Sequence, residues 1–200
     1  MPAPQWFSEL LESQQVSGAQ IAQLYVHYQV LERWNRKMNL TTVKSGPEMV
    51  RRHYCESLFF GAQFPGEPAS ITDVGSGAGF PGVPIAILRP ACQVTLVESN
   101  QRKAVFLKEA TRGIPNVSVL ARRAEEVSGR FEWVVSRAVD PAEVVTLIPL
   151  LAPNIGLMVG EDDLLAIRKR SDIAWSEPIR LPWGDRRVCV YGRYVFGRST

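Results

Sequence analysis

A run of glycines between two apolar stretches constrains this chain more than any other feature of its sequence. The run covers residues 73–82, follows Ile71-Thr72 and precedes the apolar stretch 83–88. Its glycines, Gly75, Gly77 and Gly79, occupy alternate positions, which lets the backbone adopt positive φ and approach a ligand closely. A strand, a glycine turn and a helix start in this order are typical of α/β proteins that bind nucleotides. The sequence therefore predicts a binding loop of nucleotide type.

The spacing within this run indicates which ligand it binds. A dinucleotide fingerprint, G-x-G-x-x-G, requires a third glycine where this chain has Phe80. Pro81 and Pro84 also remove two N–H donors near the helix start, where a pyrophosphate would need them. Asp73 instead gives the pattern acidic-x-Gly-x-Gly-x-Gly, which is associated with S-adenosylmethionine-dependent methyltransferases, and its carboxylate suits a sulfonium or an ammonium group. The pattern favours S-adenosylmethionine over NAD, so an oxidoreductase is disfavoured; a glycine turn without a ligand is the plainer alternative.

A second acidic residue follows the next predicted strand. Glu98 ends the apolar segment 93–97 and lies 23 residues after Gly75. In open α/β sheets ligands collect at the carboxyl ends of strands, and an acidic residue about 20 positions past the glycine loop accepts the ribose hydroxyls. We therefore predict that Glu98 binds the cofactor ribose. An ordinary surface glutamate is the alternative.

Composition limits the class of protein. The chain has 200 residues, of which 46% are hydrophobic, which suits one domain. It has no apolar run of roughly 18 residues and no signal-peptide pattern at its start, so we expect a cytoplasmic location and no membrane partner. Cys55, Cys92 and Cys189 are far apart and form no C-x-x-C pair, so neither a metal site nor a disulfide is expected.

Residues 1–68 differ in pattern from the rest of the chain. Apolar residues recur at steps of three and four along a predicted helix over 17–37, and a shorter helix that carries Trp6 precedes it. Ser45-Gly46-Pro47-Glu48 has the form of a capping box that opens a third helix reaching Phe60. We predict a helical cap over 1–68, joined to an α/β core over 69–200 within a single domain.

Strand and helix patterns alternate after residue 69. The predicted strands are 71–74, 94–98, 117–120, 131–136 and 157–159, and the predicted helices are 82–89, 101–112 and 141–151. This alternation predicts an α/β fold with a mostly parallel sheet. Segments 188–191 and 194–196 predict a last strand or hairpin, antiparallel to the others, with Gly192 as a bulge.

Several segments between about residues 30 and 140 resemble one known family. They are 34–41, 52–58, the glycine loop to Pro84, 94–99 with 102–103 and 106–107, 123–126 and 136–138. Together they resemble the bacterial 16S rRNA guanine-N7 methyltransferases, also called the glucose-inhibited division protein B family. The glycine loop alone would identify only a methyltransferase, whereas Asn39-Leu40-Thr41, His53-x-x-Glu56-Ser57-Leu58 and Ser136-Arg137-Ala138 make the resemblance specific. It implies the Rossmann-like fold of class I S-adenosylmethionine-dependent methyltransferases.

The resemblance also implies a set of cofactor-binding residues. In this family the cofactor lies against the glycine loop, here Gly75 and Phe80, against Ala124 and Glu125, and beside Arg137. Without the resemblance, Glu125 and Arg137 would be interpreted as a helix cap and a surface arginine. The whole predicted set, including the residues from the glycine pattern, is Asp73, Gly75, Gly77, Gly79, Phe80, Glu98, Ala124, Glu125 and Arg137.

No catalytic base is expected. Guanine N7 attacks the methyl group with a lone pair and has no proton to lose, so proximity and orientation can carry the reaction. Arg137 and His53 are the candidates for a direct catalytic role, and packing is the alternative for His53. The implied substrate is 16S rRNA or the small ribosomal subunit, and we expect the enzyme to be a monomer.

The net charge of plus three lies wholly within residues 51–130. Basic residues in this segment can contact phosphates and release counterions, as expected for an RNA substrate. Solvated helix faces are the alternative. The candidate RNA contacts are Arg51, Arg52, Arg102, Lys103, Arg122 and Arg123.

The chain departs from the family pattern in two places. Glu56 stands where the family usually has Asp, and residues 153–161 contain no lysine, whereas a glycine-rich turn and later a Lys-Gly pair are typical of the family after the fifth strand. If that lysine helps to bind RNA, substrate handling here differs while cofactor binding survives. Two alternatives therefore stay open: a non-catalytic RNA- or nucleotide-binding module on the same fold, and a methyltransferase with a different substrate.

Overall fold

The computed structural model describes residues 2–137, 139–184 and 186–195. The helices are Gln5–Leu11 (α1), Gly18–Asn35 (α2), Gly46–Met49 (α3), Glu56–Ala62 (α4), Gly82–Leu88 (α5), Gln101–Ala110 (α6), Pro141–Thr146 (α7), Ile148–Leu151 (α8) and Glu161–Ile167 (α9). The strands are Ser70–Val74 (β1), Gln93–Val97 (β2), Val117–Leu120 (β3), Trp133–Arg137 (β4), Asn154–Gly160 (β5), Ile173–Trp175 (β6), Ile179–Arg180 (β7) and Arg187–Tyr194 (β8).

All the strands join one sheet in the order β3-β2-β1-β4-β5-β8-β6, with β7 paired to β8. Strands β1 to β5 are parallel to one another. Strand β8 runs antiparallel to β5, and β6 and β7 run antiparallel to β8. The predicted mostly parallel sheet with an antiparallel C-terminal strand is therefore confirmed. The carboxyl ends of β1, β2, β3 and β4 meet at one edge, where ligands bind in such sheets.

The first 62 residues are mainly helical, and their caps follow the sequence signals. Ser17 forms a full capping box with Gln20: Gln20 N donates to Ser17 Oγ (3.3 Å), and Ser17 N donates to Gln20 Oε1 (2.8 Å). Ser45 Oγ accepts from Glu48 N, and the helical segment continues to Ala62. One turn of this segment, Val50–Cys55, is a π-helix. The pattern predicted the segment but not its π turn, which carries His53 and precedes Glu56.

Two apolar clusters cover the two faces of the sheet. Side chains alternate along each strand, so Val135 packs in the cluster on the side of α2 and α4, and Val134 packs in the cluster on the side of α7 and α9. The first cluster also contains Phe7 and Leu31 of the N-terminal helices. These helices therefore share a core with the sheet. The division of the chain at residue 68 stays a prediction.

The last part of the chain differs from the sequence-based prediction. Strand β8 runs through Gly192 in regular register with Ile155 and Trp175, so the predicted bulge is wrong. A Cβ at Gly192 would lie 2.7 Å from Ile173 Cγ2, so this glycine is required by close packing. The prediction over 141–151 was one helix where the structure has two, and α9, β6 and β7 were missed. Phe196 of the predicted hairpin lies outside the described residues.

Candidate functional site

The glycine loop connects β1 to α5 at the carboxyl edge of the sheet. Gly75, Gly77 and Gly79 have φ of +71°, +54° and +89°, which confirms the predicted use of glycine conformations. The turn is fastened to the neighbouring strand, because Gly75 N and Ser76 N both donate to Val97 O (2.9 and 3.1 Å). The loop is thus held in a left-handed conformation that other residues adopt at a cost.

Asp73 lies beneath the loop and is fully buried. Its Oδ2 accepts a hydrogen bond from Gly82 N (2.9 Å), so it holds the start of α5 against β1. A Cβ at Gly82 would lie 2.6 Å from that oxygen, which explains the glycine there. Burial raises the pKa of Asp73 to about 7. In this structure Asp73 shapes the loop from inside; its direct contact with a cofactor stays a prediction.

Glu98 follows β2 and faces the loop. Its Oε2 accepts from Gly77 N (3.0 Å) and its Oε1 accepts from Asn100 N (2.8 Å). The residue is only 6% exposed, and it lines a cleft above the sheet edge. A carboxylate has about four lone-pair sites, so two acceptor sites remain for a ligand. Glu98 therefore both fixes the loop and offers hydrogen-bond acceptors beside it.

Two adjoining hollows lie on either side of the Gly75 turn. The larger, of about 530 Å³, is lined by segments 39–42 and 75–78 with His53, Phe80, Glu98, Ser99, Lys103, Arg137 and Val139. The smaller, of about 200 Å³, is lined mainly by segments 122–125 and 143–144 with Val97 and Leu147. They share Gly75, Ser99 and Val139. We refer to the two together as the cleft.

The cleft brings together most of the predicted cofactor residues. Gly75, Gly77, Phe80, Glu98 and Arg137 line the larger hollow, and Ala124 and Glu125 line the smaller. Asp73 and Gly79 do not line it. A Cβ at Gly79 would lie 2.8 Å from Val83 Cγ2 and 2.9 Å from His27 Nε2, so this glycine makes room for the helical region. The sequence pattern predicts Gly79 as a loop glycine but does not predict its contact with His27 of the helical region.

An aromatic wall closes one side of the larger hollow. The Phe80 ring stacks on His53, with ring centroids 4.9 Å apart, and contacts the edges of Tyr54 and His27 at 5.0 and 5.5 Å. His53 Nε2 is hydrogen-bonded to Thr41 Oγ1 (2.7 Å). Burial, and then the charges of nearby arginines, lower the pKa of His53 to about 3. His53 is therefore a neutral packing partner of Phe80 at physiological pH.

A buried carboxylate joins three elements beside this wall. Glu56 Oε2 lies 3.2 Å from Arg137 Nη2 and 3.0 Å from Arg187 Nη1. Glu56 is fully buried at the start of α4, Arg137 ends β4, and Arg187 begins β8. Local sequence motifs indicate Arg137 and Glu56 but not Arg187, because no local pattern signals a contact between residues 131 positions apart.

The predicted RNA contacts are not all in one place. Lys103 lines the larger hollow, and Arg122 and Arg123 line the smaller. Arg102 lies at the outer start of α6, and the exposed Arg51 and Arg52 lie on the π turn, where Arg52 pairs with Glu48 at 3.2 Å. The structure thus distributes these cations around the cleft and on its flank, and their contact with RNA stays a prediction.

Two absences apply to the described part of the chain. None of its helices is long and apolar enough to cross a membrane. No group of three or more His, Cys, Asp or Glu side chains in residues 2–137, 139–184 and 186–195 is arranged to hold a metal ion. The three cysteines are buried and unpaired.

Comparison with solved structures identifies the fold. An S-adenosylmethionine-dependent methyltransferase from Aquifex aeolicus is similar with a TM-score of 0.60 and 15% identity, over 74% of this chain and 94% of that one. A SAM-dependent O-methyltransferase from Thermotoga maritima is similar with a TM-score of 0.58 and 16% identity, over 86% of this chain and 73% of that one. At such identities the likeness concerns the fold alone, which is that of class I methyltransferases.

Comparison with curated sequences identifies the family. Ribosomal RNA small subunit methyltransferase G of Nitrosomonas europaea is 43% identical over 131 residues, which is 64% of this chain but only 60% of that protein. The protein of the same name from Xanthomonas axonopodis pv. citri is 37% identical over 193 residues, 90% of each chain. Residues 20–164 match the family described as GidB, rRNA small subunit methyltransferase G. Taken with the loop, Glu98 and the cleft, these matches lead to one conclusion: the chain belongs to the GidB family.

Proposed function

We propose that this protein transfers a methyl group from S-adenosylmethionine to N7 of a guanine in 16S rRNA. Family membership supports the reaction class, and the relatives named above are methyltransferases of small-subunit rRNA. The observation that carries the cofactor assignment is Glu98, whose carboxylate lies against the glycine loop at the carboxyl edge of the sheet. This is where a parallel α/β sheet binds its ligand.

The cleft has the features that a sulfonium nucleoside requires. Glu98 retains acceptor sites for the ribose hydroxyls, and Ala124 and Glu125 line the hollow on the far side of Gly75, where an adenine fits. Arg137 Nη1 is buried without a hydrogen-bond partner in the described residues, and the side chain lines the larger hollow. A guanidinium in that condition suits a carboxylate or a phosphate.

Methyl transfer to guanine N7 requires mainly that the protein orient the two reactants. S-adenosylmethionine supplies an electrophilic methyl group, and guanine N7 supplies a lone pair. A general base is not required, which agrees with a neutral His53 that is stacked on Phe80. The residues of the cleft hold the reactants and exclude water, and such positioning can account for much of the rate. His53 and Phe80 thus act as a wall, and Arg137 as a binding group.

The RNA would approach over the cations that surround the cleft. Lys103, Arg122 and Arg123 line the two hollows. Contacts of Lys and Arg with phosphates make binding strongly salt-dependent. We further propose a monomer that needs no metal ion and acts in the cytoplasm, where the ribosome is its substrate.

Methyl transfer tests the proposal directly. The protein is incubated with labelled S-adenosylmethionine and small ribosomal subunits that lack the modification, in parallel with naked 16S rRNA. We expect incorporation at a single guanine, with the label lost under treatments that cleave N7-methylguanosine. Label in another base, another RNA or protein would overturn the substrate assignment. Binding of NAD without binding of the methyl donor would overturn the cofactor assignment.

One observation favours a second function. Residues 153–161, which include β5, contain no lysine, and no Lys-Gly pair of the family type follows them, so this chain could bind RNA and nucleoside without turnover. Donor binding by calorimetry without incorporation into either RNA form would favour that module. Incorporation at a rate that responds to substitutions in the cleft would exclude it.

A further inference from the structure

The ion cluster beside the aromatic wall has one carboxylate for two guanidinium groups. Glu56 is fully buried and lies within 3.2 Å of Arg137 and 3.0 Å of Arg187. The side chains of Arg137 and Arg187 are 10% and 21% exposed. The cluster therefore carries a net charge of plus one in a setting where water screens it poorly. Such an excess is costly unless an anion balances it.

The excess charge lies at the border of the cleft. Arg137 is nine-tenths buried, its Nη2 faces Glu56, and its Nη1 has no hydrogen-bond partner among the described residues. Arg137 lines the larger hollow, whereas Arg187 does not. Burial and the charge of Arg187 lower the pKa of Arg137 to about 10, which still leaves it protonated at neutral pH. Arg137 thus keeps an unpaired N–H donor on a side chain that borders the cleft.

The fold makes specific room for Arg187. Arg187 begins β8 and pairs in register with Gly160, the last residue of β5. It therefore places a cation beside the end of β5, the strand after which the Lys-Gly pair of the family is missing. Gly184 lies against the pair: a Cβ there would be 3.2 Å from Glu56 Oε1 and 3.0 Å from Arg187 Cβ. The ion pair therefore depends on a glycine, on β8 and on the helical region together.

We propose that Arg187 is a positioning residue, which shares Glu56 with Arg137 and so leaves the positive charge of Arg137 only partly balanced and its guanidinium oriented to bind an oxyanion of the reactants. The oxyanion is the carboxylate of the methyl donor or a phosphate of the RNA. The inference rests on the proposed function for the identity of these ligands. Without Arg187, Glu56 neutralises Arg137 alone, and the cluster loses the charge that attracts the anion.

Arg187→Gln tests this role by calorimetry with two nucleosides. S-adenosylhomocysteine has a carboxylate, whereas 5′-methylthioadenosine lacks the amino acid portion. We expect Arg187→Gln to weaken binding of the first by about tenfold, or about 1.4 kcal/mol, and to leave the second within about twofold. Arg187→Lys keeps the charge and should restore binding. Arg180→Gln is the matched control, because Arg180 pairs with Glu161 and its side chain is 80% exposed.

A third arm measures binding of unmodified small subunits without a methyl donor. A loss confined to S-adenosylhomocysteine identifies the carboxylate as the anion, and a loss confined to the subunits identifies a phosphate. Equal loss for both nucleosides, or no loss in any arm, overturns the proposal. If Arg187→Gln does not fold, Arg187→Lys decides, because a tenfold loss there would contradict a role based on charge. Failure of the unaltered protein to bind either nucleoside would instead refute the proposed cofactor, and the subunit arm would still test Arg187.

Discussion

Substitution of Gly75 by alanine has a loss of unfolding free energy that can be predicted from the structure in two separate parts. Its φ is +71°, and a Cβ added there would overlap Val139 Cγ2 at less than the 3.0 Å that real Cβ atoms respect. Gly77 offers a matched control in the same loop. Its φ is +54°, but the nearest atom to an added Cβ is Gly75 O at 3.8 Å. Gly77→Ala therefore introduces backbone strain alone, and Gly75→Ala introduces strain and overlap.

The two costs can be separated in magnitude. A non-glycine residue in the left-handed region costs roughly 1–2 kcal/mol, which is the whole expected loss for Gly77→Ala. Overpacking adds roughly 1–3 kcal/mol, so Gly75→Ala should lose roughly 2–5 kcal/mol of unfolding free energy. Because Val139 lines both hollows, its displacement should also weaken binding of S-adenosylhomocysteine.

Urea unfolding of a double-mutant cycle measures the overlap. Val139→Ala removes the methyl group that a new Cβ would meet, so Gly75→Ala in that background should cost only about as much as Gly77→Ala. The coupling between the two sites should then be roughly 1–3 kcal/mol. Equal losses for Gly75→Ala and Gly77→Ala, with no coupling to Val139→Ala, would show that this account of the loop is wrong.

Three further predictions concern charged and titrating groups. Glu98→Ala removes a hydrogen-bond acceptor for the ribose and for Gly77 N, and each bond to a charged group contributes roughly 1.5–3 kcal/mol. Calorimetry should therefore show binding of S-adenosylhomocysteine weakened by at least tenfold. Glu98→Asp should retain part of that binding. Burial raises the pKa of Asp73 to about 7, so as pH rises the carboxyl loses its proton in the unfolded chain before it does in the folded protein. The unfolding free energy therefore falls as pH rises from about 4 to 7. Asp73→Asn should remove this fall, and an unchanged pH profile in the variant would contradict the prediction. The pKa of His53 is lowered to about 3, so its contribution has the opposite sign: stability is full above pH 6.5 and falls as the pH drops toward 3. His53→Gln should reduce that acid limb and leave the rate of methyl transfer without an inflection near pH 6.5. An inflection that His53→Gln abolishes would identify a titrating role.

The sequence predicted the parts of the site that depend on local pattern. Glycines at alternate positions, an acidic residue after the second strand and an N-cap at Ser45 are short-range signals, and each corresponds to a feature of the structure; of the predicted capping box at Ser45, the structure shows the bond from Glu48 N to Ser45 Oγ. Alternation of strands and helices was enough to predict the parallel sheet. Glu98 was predicted as a ligand group, but its bonds to Gly77 N and Asn100 N depend on loop conformation and could not be anticipated.

The missed features all depend on contacts between distant segments. Gly192 resembles a bulge in sequence, yet its neighbours are Ile173 and Trp175 on another strand. The role of Arg187 requires the register of β8 against β5 together with the place of α4. Short strands such as Ile179–Arg180 lack enough residues for an alternating pattern. In each case tertiary packing, which no local window contains, determines the outcome.

The order of the strands has a consequence for how the protein is made. Glu56, the glycine loop and Glu98 leave the ribosome early, but Arg187 reaches Glu56 from 131 positions later and only when β8 is paired with β5. A chain synthesised only through β4 contains Glu56 and Arg137 but not Arg187. The last edge of the cleft forms when β8 inserts between β5 and β6. The charge balance of the cleft is therefore available only to a chain that has been synthesised through residue 187 and has paired β8 with β5.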